Sequence, residues 1–189
     1  MFIKILAVVA VIIVGVLIAA ATRPNQFRYE RSIEISATPE QIFPFINDLK
    51  EWPKWSPYDK IDPNMKKTLS GPNNSVGPGA TLDWEGNSQA GTGHMEITSS
   101  TPPGLIQLKL IMMKPMAANN DVEFKIQPIA SGSRVDWSMS GDAPFVSKVA
   151  SLFMNIDKMV GDQFVQGLTA LKGLVESSRG GAPVSPSTP

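Results

Sequence analysis

Between Ala80 and Met139 apolar side chains recur at every second residue, broken only by turns; from Phe145 onward they recur at every third or fourth. This change of period constrains the fold more than any other feature of the chain. A period of two turns one face of each strand to a core and the other to water. The alternating sets are Ala80, Leu82, Trp84; Gly93, Met95, Ile97; Ile106, Leu108, Leu110, Met112; Val122, Phe124, Ile126; and Val135, Trp137, Met139. Gly86-Asn87, Pro102-Pro103-Gly104 and Ser131-Gly132-Ser133 separate them with turn residues. Sequential strands joined by short turns form an antiparallel meander, apolar on one face. The second period predicts a single long amphipathic helix over 145–176, its stripe formed by Val149, Phe153, Ile156, Val160, Phe164, Leu168, Leu171 and Val175. That stripe needs an apolar partner, and the sheet is the only large one available.

Ahead of the meander, Phe27 to Ile35 alternates and reads as a further strand. Thr38 is placed to cap a helix, Pro39 suits its first position, and Glu40 to Leu49 supplies a short helical segment. The stretch Trp52 to Tyr58 carries too much proline for a long helix and reads as a tight turn or one helical turn. Ser70 to Gly79 is a loop. From residue 177 to 189 the chain is Ser, Gly and Pro with Ala, Val, Thr and one Arg, the composition of a disordered tail.

Residues 1–21 are almost entirely Val, Ile, Leu and Ala, with Lys4 the only charge. About 20 helical residues cross a hydrocarbon core of roughly 30 Å, so this segment reads as a single transmembrane helix followed by a connector, 22–26. The rival is a cleavable secretory signal, for which Ala19, Ala20 and Ala21 offer small residues. The apolar run is longer than the ~7–15 residues usual for such a signal, which favours an uncleaved anchor. A very short N-terminal tail before a folded domain suits an N-in anchor, with the domain on the extracytoplasmic side.

Charge and composition then exclude several classes of function. Seventeen Lys and Arg balance seventeen Asp and Glu, leaving no basic excess for nucleic acid. No cysteine is present, which removes disulfides, thiolate metal sites and cysteine nucleophiles. His94, the only histidine, falls on the solvent parity of its strand and reads as a surface residue. No carboxylate pair, metal-ligand spacing, phosphate loop or nucleophile motif is found, so no metal or cofactor is expected and no catalytic residue is assigned. Lys158 and Asp162 are spaced to pair on a helix surface, and Asp157 flanks the buried stripe.

A set of short motifs carries a family resemblance. They are Trp52-Pro-Lys-Trp55-Ser-Pro57, Asp62-Pro63, Ser70-Gly71-Pro72, Trp84-Glu85-Gly86-Asn87 and Gly91-Thr-Gly93-His-Met95, then Val135-Asp-Trp137-Ser-Met139-Ser-Gly141 and Leu152-Phe153-Met154-Asn155-Ile-Asp157-Lys158-Met159-Val-Gly161. With the order of elements, they resemble the polyketide cyclase/dehydrase and lipid-transport superfamily (SRPBCC), in the bacterial branch with an N-terminal hydrophobic segment. The resemblance spans roughly Phe27 to Glu176. It implies an α+β helix-grip (START-like) fold over 27–176, in which a curved antiparallel sheet wraps a long C-terminal helix and leaves a cavity between them.

Strand parity then names the candidate pocket. The helix-facing side collects Trp84, Met95, Leu108, Leu110, Met112, Phe124, Trp137 and Met139, and the long helix adds Phe153, Ile156 and Val160. Trp52, Trp55 and Tyr58 are expected near its mouth, or as staples for the short helices. Such a wall, rich in Met and aromatics, suits a hydrophobic small molecule or lipid. The alternative for the same residues is a dry, filled core. The function implied is membrane-tethered binding or transfer of an apolar ligand without catalysis. The competing readings are a cyclase/dehydratase acting on a polyketide-like substrate, with Glu85, Tyr58 or Asp157 at the rim, and an envelope scaffold with a filled core.

Overall fold

The computed structural model describes residues 2–179. The chain opens with α1 (Phe2–Ala21), a 20-residue helix long and apolar enough to cross a membrane. After a short connector come β1 (Gln26–Ile35) and α2 (Pro39–Asn47). The Gln41 side chain accepts a hydrogen bond from the Thr38 N–H at 3.1 Å, and Pro39 opens the helix, as that position favours. Two single-turn 3₁₀ helices follow, Trp52–Lys54 and Pro57–Lys60. The indole N–H groups of Trp52 and Trp55 donate to the carbonyls of Ile46 and Phe45, both at 2.9 Å, and so staple these turns to the end of α2.

The sheet comprises β1 with β2 (Lys66–Ser70), β3 (Thr81–Glu85), β4 (Thr92–Thr101), β5 (Leu105–Lys114), β6 (Ala118–Ile129) and β7 (Gly132–Asp142). Its seven strands run in the order β1-β7-β6-β5-β4-β3-β2, antiparallel throughout. The β4–β5 register slips between Ile97 and Ser99, an irregularity that bends a sheet. One face carries the core; the other carries polar pairs, including His94 Nδ1 with Asp83 at 2.8 Å and Lys109 Nζ with Asp121 at 2.8 Å. Strand β2 has no counterpart among the alternating sets read from the sequence, because Lys66-Lys-Thr-Leu-Ser70 contributes only one large apolar side chain.

The C-terminal part differs from the single long helix expected over 145–176. It forms α3 (Phe145–Ala150), a turn over 151–155, and α4 (Ile156–Arg179). Asn155 supplies the reason: its side-chain oxygen accepts the Lys158 backbone N–H at 2.9 Å, an N-cap that starts a new helix. Phe153 therefore belongs to the turn and not to the helical stripe, and it is 72 % exposed. At the other end α4 continues past Glu176, where the Ser177 and Ser178 hydroxyls donate to the Leu174 carbonyl at 3.0 and 2.8 Å. The tail beyond, over 180–189, lies outside the described residues.

Helix α4 lies across the concave face, packed against β1, β7 and the 3₁₀ turns. This is the helix-grip arrangement. Phe164, Leu168, Leu171 and Val175 are buried along its inner stripe. Arg31 of β1 ties the N-terminal turn of α4 in place, donating to the Asp157 carboxylate at 2.9 Å and its backbone carbonyl at 3.1 Å.

Two glycines of α4 give opposite expectations. A Cβ at Gly167 would stand 2.8 Å from the Trp137 ring and 2.9 Å from Pro57, whereas one at Gly173 would meet nothing within 4 Å. Gly167→Ala should destabilise the chain by about 1–3 kcal/mol through overpacking. Gly173→Ala should stabilise it by about 0.5–1 kcal/mol through helix propensity. Urea unfolding of the full chain in mild detergent measures both; equal effects would show that α4 does not press on Trp137.

Candidate functional site

The concave face is not filled along its whole length. Toward the β7–β6 side, a cluster of rings closes the space. Trp137 stacks on Phe164 of α4 at 4.2 Å and 9°, lies 4.9 Å from Phe124, and meets Trp55 edge-on at 5.7 Å. Beyond these rings a cavity of about 310 Å³ remains between sheet and helix. Leu82 and Trp84 of β3, Met95 of β4, Leu110 and Met112 of β5, Asn120 and Val122 of β6, and Trp137 and Met139 of β7 form its sheet wall. Phe164 and the segment Trp52 to Lys67 form the other side.

The wall is locally determined. Trp84 pairs with Gly93 across β3 and β4, and a Cβ at Gly93 would fall inside the indole ring. The absent side chain lets that ring lie flat on the sheet, where its N–H donates to the Ala90 carbonyl at 3.2 Å.

Of the residues expected in the pocket, Trp84, Met95, Leu110, Met112, Trp137 and Met139 are gathered around this cavity. Leu108 and Phe124 face the same side, at 2 % and 0 % exposure, but sit in the packed part of the core. Parity gives the face, not the distance from the ring cluster that closes it. Ile156 and Val160 of α4 line a separate groove near the start of that helix, and Phe153, in the turn over 151–155, lies on its rim. The three residues expected at the mouth also divide. Tyr58 and Trp52 line the cavity, whereas Trp55 is wholly buried beneath it, held by its bond to Phe45 and by three ring neighbours. Glu85 is exposed on the opposite face of β3, and Asp157 is engaged by Arg31.

Polar groups that the strand reading passed over also reach the cavity. Asn120 is 6 % exposed and donates to the Met139 sulfur at 3.7 Å. It shares parity with Val122 and Phe124, a signal present in the sequence one step before the alternating run was counted. Lys67 faces in from β2 and pairs with Asp59. Burial holds the Lys67 amine below its ordinary pKa. The Trp137 Nε1 is buried with no hydrogen-bond partner among the described residues, a donor whose desolvation is not repaid. Among the described residues no group of three or more His, Cys, Asp or Glu side chains converges to hold a metal ion.

The sequence profile of the family described as polyketide cyclase / dehydrase and lipid transport matches residues 26–176. The chain belongs to this family. Like other members of the fold, it is similar in structure to protein MLL2253 from Mesorhizobium loti, with 14% identity and a TM-score of 0.59 over 80% of this chain and 98% of that one. It is similar to the di-domain ARO/CYC StfQ of the steffimycin biosynthetic pathway, at 12% identity and TM-score 0.59, covering 82% of this chain and 52% of StfQ. The Aha1 dimer from Colwellia psychrerythraea shares 16% identity at TM-score 0.56, over 79% and 96% of the two chains. No curated protein matches the chain. At these identities the likeness concerns the family fold alone.

Tyr58 keeps 38 % of its surface accessible, yet the protein around it pushes its hydroxyl up to about 12. The direction is what matters, since the accessible part lets water temper the shift. Tyr29 moves the same way, first by desolvation and then by the Asp157 charge. The folded chain thus holds the Tyr58 proton more tightly than the unfolded chain, whose tyrosines ionise near the ordinary 10.0. Its contribution to stability is complete below pH 10 and is lost as pH rises toward 12. Absorbance titration should show no tyrosine ionising at its ordinary value, and Tyr58→Phe should lessen the alkaline loss of stability; a normal titration would contradict the placement of the Tyr58 hydroxyl against the cavity wall.

Proposed function

We propose that this chain binds an apolar small molecule or a lipid in the cavity between its sheet and α4, releases it chemically unchanged, and does so at the surface of a membrane that α1 spans. The observation that carries the reading is the composition of the cavity wall: Leu, Met, Val and aromatic side chains on five successive strands, with few polar atoms among them. A volume of about 310 Å³ is at the lower end of small-molecule sites. Four methionines in the lining, Met65, Met95, Met112 and Met139, supply flexible, polarizable surface that adapts to variable apolar shapes. The unpartnered Trp137 N–H favours a ligand that brings an acceptor oxygen to this end, with local adjustment to reach it.

Helix α1 supports the membrane part of the reading. A 20-residue helix, apolar but for Lys4 near its start, matches the thickness of a bilayer core at about 1.5 Å per residue. A domain held there meets ligands that are themselves dissolved in lipid, so a modest intrinsic affinity suffices.

A cyclase or dehydratase has one observation behind it, the cluster of Tyr58, Lys67 and Asp59 at one part of the wall. The state of these groups argues for binding instead. Lys67 is engaged by Asp59, and the described lining brings no His or Glu to this cluster to take up a proton. A pure scaffold calls for a filled core, which the cavity does not fit.

Filling the cavity tests the proposal. Met95→Phe combined with Leu110→Phe should weaken uptake of a dansyl-tagged fatty acid about tenfold, a change of about 1.4 kcal/mol, with thermal stability held or raised. Energy transfer from the native tryptophans, in the full chain in nanodiscs, reads the binding. Undiminished binding by the stable, filled variant would place the ligand elsewhere.

A further inference from the structure

A second depression, of about 930 Å³, runs beside the cavity. Its walls are the connector from Arg23, the β5–β6 turn at Pro115 to Ala118, the residues before and within α3, and the turn leading into α4. Met112, Asn120 and Met139 line both this groove and the cavity. These three side chains are the partition between the two spaces.

The rim of the groove is apolar where a water-facing rim would be polar. Phe153 is 72 % exposed, Met116 60 % and Met154 50 %. Phe145 and Val146, at 47 % and 66 %, stand beside them on α3. Large apolar side chains clustered in the open mark a contact surface.

The placement of α1 identifies what that surface meets. Helix α3 packs against α1, and Val16 and Ala20, one turn apart on a single face, are the only described residues of α1 that are not exposed. At about 1.5 Å per residue, Val16 lies roughly 7 Å inside the end of the helix at Ala21. The connector is no loose leash: Asn25 accepts the Ala143 N–H at 2.7 Å, and its side chain accepts from Lys148. If α1 spans a bilayer, as proposed above, α3 and the groove rim are forced to the level of its interface. Arg23 and Lys114, which make no ion pair among the described residues, then stand where lipid phosphates lie.

We infer that the groove is a bilayer-facing port to the cavity: its rim of Phe153, Met154 and Met116 sits in the membrane interface, and an apolar ligand passes from lipid to cavity between Met112 and Met139. This rests on the membrane reading of α1. Two flexible thioethers suit a partition that must part and reclose.

The chain has no native cysteine, so single nitroxide labels can be placed cleanly. They would go at Val11→Cys in α1, Phe153→Cys and Met116→Cys on the rim, and Lys125→Cys on the far face of the sheet, in the full chain in phosphatidylcholine nanodiscs. Relaxation by oxygen should exceed that by a water-soluble nickel chelate at 11, 153 and 116, with the reverse at 125. Lipid exposure at 11 with water exposure at 153 and 116 would leave the anchor standing and overturn the port. Water exposure at 11 would overturn the anchor itself, and the port with it. The passage is read separately by the rate at which the dansyl-tagged fatty acid moves from nanodisc to cavity. The Phe153→Ser, Met116→Ser pair changes only exposed side chains and should slow it about tenfold; Met112→Trp at the partition should do the same. Unchanged rates in both variants would overturn the passage.

Discussion

Trp137 lying flat on Phe164 holds the rest of this domain in position. The stack joins β7 to α4 at 4.2 Å between ring centroids, and Gly167 leaves room for it by presenting no side chain to the same indole. Ring pairs of this kind contribute about 0.5–1.5 kcal/mol beyond the area they bury, and Trp137 also meets Trp55, Phe124 and Tyr58. With the Arg31–Asp157 tie from β1, the stack fixes α4 against the sheet. On one side of it the gap is filled by Trp55, Phe124 and Leu108; on the other, flatter and more flexible residues leave the gap open. Core and cavity are two ends of one interface, separated by a tryptophan.

That arrangement explains the chemical character of the cavity. Its sheet wall is the apolar face that any helix-grip sheet must turn toward its helix, so the same hydrophobic drive that folds the domain also makes the site apolar. Polar groups enter from the short β2 strand, the 3₁₀ turns and their flank, and the β3–β4 connection, as Lys67, Asp59, Tyr58, Ser56 and Gln89, and at Asn120 beside the groove. Lys67 is paired with Asp59, and Asn120 donates to the Met139 sulfur. Membership of the polyketide cyclase/dehydrase and lipid-transport family is consistent with either use of such a cavity.

The fold was legible in the sequence because periodicity reports which face of an element is wet. The five strand runs, the concave parity of Trp84, Met95, Leu110, Trp137 and Met139, and the packing of α4 on the sheet all follow from it. What periodicity does not report is depth. Leu108 and Met112 occupy the same parity of one strand, yet one is packed core and the other wall, a difference set by how far each stands from the ring cluster. The break before α4 was hidden for a different reason: Val149, Phe153 and Ile156 keep helical spacing, while the residue that ends the pattern is the polar Asn155, whose capping bond to Lys158 overrides it. Lys67 went unread because β2 is too short and too polar to show alternation.

The central claim is that an apolar molecule occupies the cavity and leaves it unaltered. Native mass spectrometry of the full chain, released from detergent after exposure to a bacterial lipid extract, tests this most directly. The account predicts a discrete adduct on the native chain, recovered with the mass it had in the extract and lost when the cavity is filled by phenylalanines at 95 and 110. An apo mass under every condition, or an adduct recovered with its mass changed by loss of water or ring closure, would contradict it.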